Sequence, residues 1–157
     1  MRKSVGFTLM EMVIVIVIIG VIAAFSSKLL NEGFKSYLVG KSLNEASWNA
    51  KLALARMALD FRMIGSQNDI TTATATQFVY NDINTNTITY QLTGSTLTRN
   101  GQILANNVSN LTFTYYNNAG GIAALVGSIR YVNYSLTVTV NNETASYQSG
   151  VYIRDRT

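Results

Sequence analysis

An α+β fold is predicted: a long N-terminal α-helix, transmembrane in its first half, whose second half packs on an antiparallel β-sheet head. Three features of the sequence predict it. Residues 12–25 carry no charge, residues 26–63 lack proline and repeat apolar side chains at helical spacing, and from residue 65 the composition turns to Thr, Asn, Tyr and Val with a period of two. A chain of 157 residues holds one ordinary domain plus an appendage, which excludes a second large catalytic domain. Apolar residues make up 48% and charged residues only 13%, against roughly 25% in globular chains, so part of the molecule is built for lipid.

The first element is apolar and helical. Residues 7–25 would extend about 28 Å as a helix, close to the roughly 30 Å hydrocarbon core of a bilayer. Arg2 and Lys3 precede it, and basic residues on that side predict a cytoplasmic N-terminus with the rest of the chain beyond the membrane. A secretory signal peptide shares these features and would be cut near Ile22-Ala23-Ala24. Glu11 argues against it, because a carboxylate inside an apolar helix costs several kcal/mol and a disposable segment has no use for one.

Gly6-Phe7-Thr8-Leu9-Met10-Glu11, followed by Met12-Val13-Ile14-Val15-Ile16, resembles the processing site of type IV pilins and type II secretion pseudopilins. The resemblance is close over about the first 25 residues. It implies that a membrane-embedded prepilin peptidase cuts between Gly6 and Phe7 and N-methylates Phe7, and that Glu11 acts in subunit assembly. The expected organisation is a leader at 1–6, a hydrophobic transmembrane and assembly helix at 7–27, its amphipathic continuation at 28–64, and an antiparallel β head at 65–157. The implied partners are prepilin peptidase, other pilin or pseudopilin subunits, an inner-membrane assembly platform and membrane lipid. The implied location is the bacterial inner membrane, single-pass with a periplasmic head, then a pilus or pseudopilus. Physical chemistry supplies a reason for each part. Gly6 lets a protease hold the backbone closely. The cut leaves the apolar helix on the mature chain and creates a Phe7 amine, which inside lipid needs an anion as much as Glu11 needs a cation. A neighbouring subunit shifted along a filament axis can bring its Phe7 amine to Glu11, so that charge pairing sets the stagger.

In the second half of the helix Leu43, Ala46, Ala50, Ala53, Met57, Phe61 and Ile64 form an apolar stripe expected to pack on the sheet. Lys41, Asn44, Glu45, Asn49, Lys51, Arg56, Asp60 and Arg62 fall between them on the polar side. Gly33 and Gly40 are the weak points, each costing about 1 kcal/mol against Ala. Strands are expected over 77–80, 87–92, 96–99, 102–105, 111–116, 130–140 and 147–154. Tight turns are expected at Thr93-Gly94-Ser95 and at Asn100-Gly101, and such short connections imply antiparallel pairing. The polar loop at 117–127, the absent C-terminal disulfide and the strand-rich tail resemble minor, tip-forming members of the family.

Few groups in the head can carry chemistry. The chain has no Cys and no His, which removes the thiol nucleophile, the usual near-neutral base and the commonest metal ligands. No catalytic residue, cofactor or metal is expected, and the chain is not expected to be an enzyme. After residue 65, Arg99, Arg130, Arg154 and Arg156 balance Asp69, Asp82, Glu143 and Asp155, so the head is neutral and a nucleic-acid partner is not expected. Asp82-Ile83-Asn84-Thr85-Asn86 spaces oxygen ligands like the start of a calcium loop, but Thr87 and Thr93 stand where an EF-hand needs Gly and Glu. Trp48 and the tyrosines 115, 116, 131 and 134 are expected to pack on the sheet. The alternative to assembly is a pilus-borne adhesin or DNA-binding module, which would need an exposed cationic or aromatic patch on the head.

Overall fold

The computed structural model describes residues 6–154, and the leader residues Arg2 and Lys3 lie outside them. The chain divides into two compact units, Met1–Gly40 and Lys41–Thr157. Helix α1 runs Leu9–Phe61 and stays helical through Gly20, Gly33 and Gly40. It ends in a tightened turn, in which Met63 N–H donates to Asp60 O at 2.9 Å and Ile64 N–H to Phe61 O at 3.3 Å.

Among the described residues eight strands follow: β1 Ile70–Ala73, β2 Gln77–Asn81, β3 Thr87–Thr93, β4 Thr96–Arg99, β5 Gln102–Ala105, β6 Val108–Tyr116, β7 Tyr131–Val140 and β8 Glu143–Tyr152. They form two antiparallel meanders, a five-stranded sheet β1-β2-β3-β4-β5 and a three-stranded sheet β6-β7-β8, where a single sheet was expected. The break falls at Asn106-Asn107. Asn107 takes φ 59°, a left-handed conformation that Asn tolerates, and its carbonyl accepts from Thr139 N–H at 2.8 Å, which hands the chain to the second sheet.

The turns follow residue chemistry. Asn100 and Gly101 take φ 50° and 79°, the type I′ pattern of a two-residue hairpin. Gly94 takes φ 58° ahead of Ser95, in the place where type II′ demands glycine. Asn141 and Asn142 form another primed turn, φ 49° and 69°, so that β8 starts at Glu143 rather than at residue 147.

The apolar stripe of α1 is buried as expected, with Ala46, Ala50, Ala53, Met57 and Phe61 joined by Leu54. Phe61 binds both sheets to the helix. Its ring meets Phe78 at 5.0 Å, Tyr90 at 5.4 Å and Tyr134 at 5.2 Å, all edge-to-face, the arrangement that aligns ring edge with ring face. Along β7 Val132, Tyr134, Leu136 and Val138 are fully buried and alternate with polar residues. Trp48 departs from expectation. It is 63% exposed, because the core-facing positions around it are taken by Ala46, Ser47 and Ala50, and it shares the outer helix surface with Leu52 and Leu59.

Candidate functional site

The residues of the expected processing site lie together at the start of α1. Gly6, Phe7 and Thr8 precede the helix in no regular secondary structure. Gly6 is exposed, with nothing within 4 Å of where a Cβ would stand, and Phe7 is 78% exposed. The Gly6-Phe7 bond is therefore open to an enzyme.

Thr8 caps the helix. Glu11 N–H donates to Thr8 Oγ1 at 3.3 Å and to Thr8 O at 3.1 Å, and Met12 N–H reaches the same carbonyl at 3.2 Å. Thr8-Leu9-Met10-Glu11 has the spacing of a capping box, and the threonine half of it is made. Glu11 accordingly sits in the first turn, where the helix macrodipole favours a negative charge. Its side chain is exposed, and no cation pairs with it among the described residues. The cap was legible in the sequence as T-x-x-E but was not among the expectations, which concerned the cost of Glu11 in lipid and its pairing in assembly.

Behind this turn α1 is long and apolar enough to cross a membrane, and none of its apolar stretch is buried within the molecule. Val13, Ile14, Val15, Ile16, Val17 and Ile18 are each about half exposed or more. Side chains of this kind need lipid or other helices around them.

In the head unit the ionic residues assemble where sequence periodicity did not place them. Asp60 was expected on the polar side of the helix but is buried. Arg56 Nε approaches its Oδ1 at 3.1 Å, while Arg99 Nε and the Tyr90 hydroxyl, at 2.7 Å, donate to its Oδ2. Burial and then the hydrogen bond to Asp60 push the Tyr90 hydroxyl well above its ordinary range. The cluster ties α1 to β3 and β4. Buried, and held by two guanidiniums and a tyrosine hydroxyl, Asp60 acts as a clamp between helix and sheet.

The Asp82 loop folds on itself. Asp82 Oδ1 accepts from Asn84 N–H at 2.8 Å and Asn86 N–H at 2.9 Å, and the Asn86 side chain donates to Oδ2 at 3.1 Å. Hydrogen bonds from Asn86, then from Asn84, hold the Asp82 carboxyl below the usual carboxylate range. Its oxygens are engaged by their own turn, and no cluster of three metal-ligating side chains occurs among the described residues.

The four tyrosines separate into two pairs. Tyr134 is fully buried, and half-buried Tyr115 packs at 5.5 Å on Phe78 while its hydroxyl donates to Thr74 O at 2.7 Å. Tyr116 and Tyr131 face outward instead. Neighbours in a strand point to opposite faces, so Tyr115 and Tyr116 cannot both pack inward.

With this geometry in view, one comparison is informative: the family model of the prokaryotic N-terminal methylation motif matches residues 1–27. No curated protein and no solved structure matches the chain. The chain thus carries, on an α+β pilin-like fold, the N-terminal signature of type IV pilins and pseudopilins.

Proposed function

We propose that the chain is a minor pilin or minor pseudopilin, a structural subunit of a type IV pilus or type II secretion filament. Prepilin peptidase removes residues 1–6, methylates the Phe7 amine, and leaves the apolar half of α1 on the mature subunit. The observation that carries this reading is the arrangement of an accessible Gly6-Phe7 bond one turn before Glu11 at the head of an exposed apolar helix. Before assembly the helix spans the inner membrane with its N-terminus in the cytoplasm and the head in the periplasm. On the assembly platform the subunit leaves lipid, its apolar helix packs against those of other subunits, and the Glu11 carboxylate takes the Phe7 amine of a neighbour. Neutralising two charges in an apolar medium is what makes the pair favour one stagger over others.

Two substitutions separate this role from helix capping. Glu11→Gln keeps a residue able to cap at that position but removes the charge, while Glu11→Ala removes both. Both variants are expected to insert in the membrane and fail to enter filaments. Normal incorporation of Glu11→Gln, with Glu11→Ala defective, would assign Glu11 to capping and overturn the pairing.

A further inference from the structure

The outward face of the three-stranded sheet ends in a row of aromatic rings. Tyr116, Tyr131 and Tyr152 lie opposite one another across β6, β7 and β8. Their ring centroids are 6.0 Å and 4.7 Å apart, and Tyr152 is 73% exposed. Gly150 determines how the central ring sits. A Cβ at that position would overlap the hydroxyl and Cζ of Tyr131, so the absence of a side chain lets the phenolic end of Tyr131 rest directly on the β8 backbone. The ring lies down on the sheet rather than standing away from it.

Around this row opens a cleft of ≈ 400 Å³, whose lining also includes Asn118, Arg130 and Asn133. That volume falls within the ~300–1,000 Å³ of ordinary small-molecule sites, which combine aromatic walls with a few polar groups. Each asparagine amide offers both donors and an acceptor. Arg130 adds a guanidinium to the lining, and its buried Nη1 meets no hydrogen-bond partner among the described residues.

We propose that this cleft binds a saccharide, as a single pyranose unit or the end of a glycan chain. A pyranose presents an apolar C–H face to an aromatic ring and hydroxyls around its rim to amides and a guanidinium, which matches the lining group for group. Nucleobases also stack on tyrosine, but nucleic acid brings phosphates that need several cations, and the head's four arginines are offset by four carboxylates with no lysine. The cleft shares no residue with the Gly6-Phe7-Glu11 site, so it stands or falls separately from the assembly role.

The test is saturation-transfer NMR on the full chain in detergent micelles. The probes are the methyl glycosides of glucose, galactose and N-acetylglucosamine, free glucuronate, and the oligonucleotide dT5. Transfer to the ring protons of at least one sugar is expected, with a dissociation constant of about 1 mM, weakened at least ~10-fold by Tyr152→Ala. Asn118→Ala, also at an exposed position, is expected to weaken the same sugar several-fold with the thermal midpoint unchanged. Absence of transfer to all four sugars, or sugar binding indifferent to Tyr152→Ala, overturns the proposal. Binding of dT5 alone, lost in Tyr152→Ala, overturns it in favour of base stacking.

Discussion

Asp60 shows how one carboxylate can fix a helix to a sheet. It is buried beside two guanidiniums and a tyrosine hydroxyl, and removing one partner of a buried pair leaves the rest uncompensated. Asp60→Asn, which conserves shape, is expected to lower the unfolding free energy by about 3 kcal/mol in urea titration. Tyr80 is the opposite case. Its hydroxyl is buried and finds no partner among the described residues, so Tyr80→Phe removes an unmet polar group and is expected to be neutral or stabilising by about 1 kcal/mol. A loss of more than that would show that the hydroxyl is bonded. Neither residue could be placed from the sequence. Helical spacing put Asp60 with the polar residues, and only the fold reveals that Tyr90 of β3 and Arg99 of β4 join Arg56 of its own helix around it. The expectation for Gly6, Phe7 and Glu11 rests on a local pattern, a Gly-Phe junction with an acid a few residues on, inside the stretch that the methylation-motif model matches.

Among the elements, strands bounded by strong turn signals were read to the residue, as β4 and β5 on either side of Asn100-Gly101 show. β1 was missed because Ile70–Ala73 has one buried apolar side chain among threonines and sits at the edge of its sheet. β8 was started too late because Asn141-Asn142 was not recognised as a primed turn. Trp48 was expected to pack on the sheet beside the apolar stripe, but Ala46, Ser47 and Ala50 already fill the core-facing positions around it. Within β8, Gly150 is the element's most constrained position. Gly150→Ala must displace the Tyr131 ring, and a loss of about 1–3 kcal/mol is expected, as for other overpacked sites. In Tyr131→Ala/Gly150→Ala the second change should cost little, which a double-mutant cycle by urea denaturation would measure.

At the scale of the molecule, the head gathers buried tyrosines. Burial and then the neighbouring Tyr90 push the Tyr80 hydroxyl above its ordinary value of 10.0, and Tyr90 is raised by burial and then by Asp60. Raised folded-state values mean that the folded head holds protons the unfolded chain releases. Stability from this source is intact below about pH 10 and falls above it, by about 1.4 kcal/mol per pH unit for each tyrosine concerned. Urea midpoints should be level up to about pH 9.5 and drop steeply by about pH 11, and midpoints still level there would contradict the burial of these hydroxyls. The overall α+β plan was readable from the charge-free run at 12–25 and the one change of period after residue 65, whereas the division into two sheets falls at Asn106-Asn107, which carries no strong turn signal in the sequence.

All of the assembly account depends on the amine that processing would create. The most direct test is mass spectrometry of the mature chain's N-terminus after co-expression with a prepilin peptidase. The account predicts a chain beginning at N-methylated Phe7. An intact Gly6-Phe7 bond, or a terminus created near Ala23-Ala24, would contradict it.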